Sequence, residues 1–358
     1  MHNTKRIFYY DVLRAFAIIG IVFCHVSTIF VLTSINTPNL YISTFYNCFR
    51  DISIPVFVML SGILLLNRKD SFKNFFQKRL SRILIPFIFW AIVYAIYDFI
   101  YVGHVFDWNV LFNIFIAKPG TLGVTFWYIW MIIVIYIAIF IINQIIAYGN
   151  KRMDGFASKF INILTAFAIL FIILDYFDVF HLFYRSMLFY YFSFLSYVII
   201  GYFMANNDFI GKRISAKKMV LITSMIVFFG YIFYIVGYVV PTTNINSHFT
   251  YFGYFNPLIV IISVNAFLFA KYLSKTDFLK NIEDTQIGNV LSLVSRYSFG
   301  IYLAHFIILK RVIARLFFIS QNLAIAIPVY VIITIVLCIV ILWILGKIPY
   351  VNKVSGIN

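Results

Sequence analysis

Charge is scarce in this sequence. Only 11% of its 358 residues are Asp, Glu, Lys or Arg, against the roughly 25% that a soluble domain uses to cover its surface. Glycine (16) and proline (8) are too few for a disordered or collagen-like chain. Cysteine is almost absent: Cys24, Cys48 and Cys338 all fall in apolar stretches, with neither an even disulfide set nor a metal-ligand spacing. Polar alternation is missing too. Residues 132 to 146 are apolar on nearly every face, which excludes the in-out pattern of a β-barrel strand.

What remains is apolar: 63% hydrophobic residues, 43 Phe, 26 Tyr and a mean hydropathy of +0.96. These place the chain among all-α, polytopic transmembrane bundles. At about 20 residues per crossing, ten spans are expected, at 8–32, 45–66, 83–102, 126–147, 160–180, 188–206, 219–240, 254–273, 297–314 and 323–345. Subtracting them leaves no appended soluble domain, so residues 1–358 form one transmembrane unit with its core over 8–345. Lys5 and Arg6 before an apolar run imitate a signal peptide, but the run carries Asp11, Arg14 and His25 and lacks a small-residue cleavage site. It reads as the first span.

Net charge is +16. In a soluble protein that would suggest nucleic acid, but here the cations sit in short loops, and no nucleic-acid partner is expected. With the N-terminus in the cytoplasm, the inner segments hold 21 basic residues and the outer ones five (Lys118, Arg185, Lys310, Arg311, Arg315), Arg14 and Arg50 being embedded. The positive-inside rule then puts both termini in the cytoplasm. Neither internal repeats nor paired broken spans of the transporter kind are present.

An ionisable group in an apolar span costs about 2.5–3.5 kcal/mol, so each calls for a partner or a function. Asp11 and Arg14 lie one turn apart and can pair, or can act on a substrate. His25 follows Arg14 by eleven residues, within about 20° of three full turns, which puts both on one helix face about 16 Å apart. An imidazole there can take and return a proton near neutral pH. Arg50 and Asp51 enter the second span together, and His305 sits at middle depth in the ninth. On the inner side, 67–82 carries Arg68, Lys69, Lys73, Lys78, Arg79 and Arg82. Most of these set topology and attract anionic membrane lipids. Arg79 and Arg82, three apart at a helix entrance, could also grip phosphates.

Four segments in order, YYDVLRAFAIIGIVFCHV, IPVFVMLSGILLLNRKDSFKNFFQKRLSRILIPF, FWYIWMIIVIY and YSFGIYLAHFIIL, resemble acyltransferase family three, which includes bacterial polysaccharide O-acetyltransferases. The most specific element is arginine, ten residues, histidine: Arg14 and His25. The Ser61-Gly62 pair followed by basic residues supports it. The resemblance implies acyl transfer from a cytoplasmic acyl-CoA to a hydroxyl, usually on a sugar, with the matched histidine essential. Many relatives carry a histidine just before the aromatic pair of the fourth span, where this chain has Thr125 before Phe126 and Trp127; His305, in YLAH, is the better second candidate.

The expected site therefore comprises His25 as general base or transient acyl carrier, with Arg14 and Asp11 orienting the donor channel. Arg79, Arg82, Arg50, Asp51, Ser61, Trp127 and His305 are the candidates for substrate binding. No metal is expected. Acetyl-CoA serves as a donor substrate, and no cofactor is permanently bound. The protein is expected in the plasma membrane, the expected acceptor is a cell-surface polysaccharide or lipid-linked glycan, held by the outer stretches TSINTPNLY and PTTNINSHFTYFGY, and a polysaccharide-assembly complex is a further partner. The rival readings are a transporter or flippase for a glycan or small acid, and a non-catalytic subunit of such a complex.

Overall fold

The computed structural model describes residues 7–33, 39–69, 71–102, 107–176, 187–208, 213–236, 253–316, 322–349, 351 and 355–356. Among these there is no strand. The backbone follows from the solvent: hydrocarbon offers no partner for an open N–H or C=O, and a helix satisfies both internally. Among the described residues, nine helical segments are long and apolar enough to cross a membrane, and a tenth is reached if a bent pair counts as one span. The ten expected spans are recovered with altered edges.

The first is an uninterrupted helix, α1 (Phe8–Thr33). The second begins earlier than expected and is broken at Cys48 into α2 (Asn39–Asn47) and α3 (Phe49–Leu65). The basic segment expected as a loop is helical from Phe72 on. A short α4 (Phe72–Phe75) leads through a π-helical turn at Phe76–Leu80 into α5 (Ser81–Tyr97). Then follow α6 (Trp108–Phe115), α7 (Trp127–Gly149), α8 (Phe156–Tyr176), α9 (Met187–Ser193), α10 (Leu195–Asn206) and α11 (Ala216–Tyr234). The eighth span, α12 (Pro257–Leu273), turns by 80° into α13 (Asp277–Glu283). Next, α14 runs from Gln286 to Leu316, eleven residues longer at its start than expected, and α15 covers Leu323–Lys347.

α1 is the axis of the bundle, packed by α2, α3, α12, α14 and α15. Small residues permit this. Ala15 and Ala17 are fully buried, and a Cβ on Gly20 would meet Ser53 Oγ at 2.1 Å. Packing between spans relies on such close approach, because lipid competes equally for apolar surface. α8 and α11 lie at the periphery, with Phe167, Phe228 and Phe233 exposed on the outer surface of the bundle.

α3 and α10 cross backbone to backbone. A Cβ on Gly62 would stand 2.1 Å from the Val198 carbonyl oxygen, and one on Gly201 2.6 Å from Met59 Cα. Gly62→Val is therefore expected to destabilise by about 1–3 kcal/mol through overpacking, seen as a lower thermal midpoint in detergent. An unchanged midpoint would show that the crossing can spread freely. One residue away, Ser61 points into the bundle interior described below.

Side chains fasten the helix ends on the face that carries the basic segment. Asn143 of α7 donates to Leu65 O at 2.8 Å and accepts from Asn67 N at 2.7 Å, capping α3 just where Asn67 adopts a positive φ of 58°. Lys271 of α12 donates to Met204 O at 2.7 Å and Asn207 O at 3.0 Å, closing the end of α10. Beyond that end, Lys275 binds Asp208 and holds its carboxyl below the usual range. The Asn143 tie sets where the chain leaves α3 ahead of α4 and α5.

Candidate active site

A cavity of about 370 Å³ opens between α1, α3, α5, α7 and α14. That volume lies within the range of small-molecule sites. Its cationic end is formed by Arg14, Lys78, Arg79 and Arg82, and among its lining residues there is no Asp or Glu. Arg79 and Arg82 enter together because they are three residues apart across the junction of the π-helical turn and α5. Ser61, Leu60, Ile129 and Ile132 form the intermediate walls, and Tyr128 and Tyr302 face each other with ring centroids 5.2 Å apart. The tyrosine hydroxyl of Tyr302 donates to the Thr125 carbonyl, which fixes its ring against the start of α7.

Asp11 does pair with Arg14, at 3.7 Å, and it also accepts from Ser295 Oγ of α14 at 2.6 Å. Asp11 is thus buried behind the cavity, orienting Arg14, whose side chain lines it.

His25 and His305 come together. Their ring centroids are 5.0 Å apart, and Phe306 presents an edge to His25 at 5.7 Å. His305 is fully buried. Its ring lies 5.9 Å from that of Tyr302, a residue of the cavity wall, but neither histidine is among the residues that line the cavity. Because α1 is uninterrupted, the interval of about 16 Å from Arg14 to His25 stands.

On the far side of His25 lies a second polar cluster. Arg50 Nε donates to Asp51 Oδ1 at 3.2 Å, and Tyr234 of α11 donates to Asp51 Oδ2 at 3.2 Å. Asp51 has no exposed surface. The Arg50 charge is within electrostatic range of His25 and Tyr254. Asn47, beside it, donates to Thr28 Oγ1 at 2.8 Å and to Cys24 O at 3.1 Å, tying α2 to α1 one turn from His25. Trp127 does not reach the cavity; its ring packs at 6.0 Å on Tyr254 and at 6.2 Å on Phe194.

Sequence reasoning brought Arg14, Ser61, Arg79 and Arg82 to one place. It missed Tyr128, Tyr136, Ser298 and Tyr302 as cavity walls. A signal for two of these existed: Ser298, Tyr302 and His305 fall at i, i+4 and i+7, one face of α14. The proposed outer sugar-binding stretches, with His248, lie for the most part outside the described residues.

The family model described as an acyltransferase domain matches residues 7–343. The chain belongs to acyltransferase family three. Nearly its whole length is matched, from the start of α1 to the last turns of α15, so every residue of the site falls inside the domain. Comparisons with curated proteins and with solved structures returned no match. Membership implies membrane acyltransferase activity, and the apolar helices of this acyltransferase agree with a place in a membrane.

Proposed function

We propose that this acyltransferase moves an acetyl group from cytoplasmic acetyl-CoA to a hydroxyl of a cell-surface polysaccharide or lipid-linked glycan at the plasma membrane. The observation that carries the reading is the cavity with four cations, no carboxylate among its lining residues, and an aromatic wall next to two histidines. Guanidinium groups bind phosphates through charge-assisted, often paired hydrogen bonds. Phosphates of the donor sit at Arg79, Arg82, Lys78 and Arg14, and the pantetheine arm runs past Leu60, Ile129 and Ile132 toward Tyr128 and Tyr302. Its thioester then arrives near the histidine pair.

His25 takes the proton of the acceptor hydroxyl as the oxygen attacks the acyl carbonyl carbon. The carbon–sulfur bond breaks, its electron pair passes to sulfur, and the proton returns to the thiolate as free CoA leaves. The acceptor approaches from the opposite side, where Arg50, Asp51, Tyr254 and Trp127 offer hydrogen bonds and flat rings to a sugar.

The test is consumption of radiolabelled acetyl-CoA by the purified protein in nanodiscs, with and without a pyranoside acceptor. Protein-dependent release of CoA, faster with the acceptor, is expected. Acetyl-CoA left intact under both conditions would overturn the reading.

A further inference from the structure

The histidine of α14 has a fixed proton. His305 Nδ1 lies 2.6 Å from Tyr302 O and 3.1 Å from Ile301 O. Carbonyl oxygens only accept, so Nδ1 must carry the hydrogen, and in the neutral ring the lone pair is then on Nε2. That Nε2 is buried and has no hydrogen-bond partner among the described residues. A buried acceptor left unmet is costly, and it points to a donor that arrives or turns toward it. The ring beside it is His25, at a centroid separation of 5.0 Å, which a small rotation converts into a hydrogen bond between the two imidazoles.

We propose that His305 is a positioning residue, whose Nε2 accepts the N–H of His25 and thereby holds the other His25 nitrogen as the free base facing the acceptor hydroxyl. This rests on the reading of His25 as the base of acyl transfer. The backbone carbonyls that bind Nδ1–H also make Nε2 a better acceptor, as they do behind the histidines of metal sites. When His25 gains the hydroxyl proton, the same Nε2 holds the resulting imidazolium. No proton passes to His305, and the proton on His25 goes on to the CoA thiolate.

Two variants and one spectrum test this. With His305→Ala, acyl-CoA binding should stay within about twofold of the parent while turnover falls about 100-fold or more, the scale of losing a properly presented base. His305→Gln keeps an acceptor oxygen and cannot take a proton at neutral pH; it should retain turnover within about tenfold of the parent. Near-parental turnover of the Ala variant overturns the proposal. So does a Gln variant as inactive as Ala while both bind acyl-CoA, because that result assigns His305 a proton of its own. Nitrogen-15 spectra of histidine-labelled parent protein need no substrate and no Ala variant. They should show His305 protonated at Nδ1 and His25 in a single tautomer, and a mixture at His25 would contradict the pairing. If the parent turns over no acetyl-CoA, the proposed function fails by itself, and the spectra still decide the histidine pair.

Discussion

His25→Ala is expected to abolish acyl transfer while the protein still inserts, folds and binds acyl-CoA. The argument begins from cost. An imidazole in an otherwise apolar span is a burden, and its removal should be mild for a helix whose core contacts are made by Ile18, Ile21, Val22 and Val26. Loss of a positioned proton acceptor instead lowers rate by ~10² to 10⁴, and loss of an acyl carrier would cost more. His25→Gln separates the two roles. Glutamine can keep a hydrogen bond to a neighbouring helix, but it cannot take a proton at neutral pH. Turnover of the Gln variant with acetyl-CoA should therefore be as low as that of Ala. If it stays near the parental value, His25 serves as a tie between α1 and α14, and the proton acceptor of the reaction is another group.

The second large effect concerns the cationic end of the cavity. Replacing Arg79 and Arg82 together with glutamine should weaken acyl-CoA binding more than tenfold. Hydrogen bonds to charged groups are worth about 1.5–3 kcal/mol each, and 1.4 kcal/mol is a factor of ten. Arg79 is half-buried and Arg82 is exposed, so solvent screens part of that sum, and Arg14 and Lys78 remain to hold the phosphates. The difference between parent and variant should shrink at high salt, where the Debye length falls to about 3 Å at 1 M. Calorimetric titration in nanodiscs reads both. Equal affinities would reassign the two arginines to setting topology.

What could be read from the sequence was what repeats locally. A run of apolar residues reveals a span wherever it occurs, and the helical period places Arg14 and His25 on one face with no knowledge of neighbours. The Arg79 and Arg82 spacing was legible for the same reason. Contacts between distant segments were hidden. His25 and His305 are 280 positions apart, and nothing in either segment specifies that α14 packs along α1. Asp51 shows both sides of this: Arg50 beside it was an obvious partner, but Tyr234, from α11, was not. Trp127 was misleading because its neighbour Tyr128 takes the cavity position, one residue around the helix. Span edges shifted where apolar content and helix part company, as in α14, whose first turns carry Gln286, Asn289 and Arg296 yet remain helical.

The central claim is that acyl-CoA lies in the cavity with its phosphates at the arginines and its acyl end toward the histidines. Photocrosslinking tests it most directly, using an acyl-CoA analogue with a diazirine in the acyl chain and mapping the labelled peptides by mass spectrometry. Label is expected in the segments that hold Tyr128 and residues 298–306, and it should disappear with excess free CoA. Label confined to the lipid-facing helices α8 and α11, or insensitive to CoA, would contradict the account.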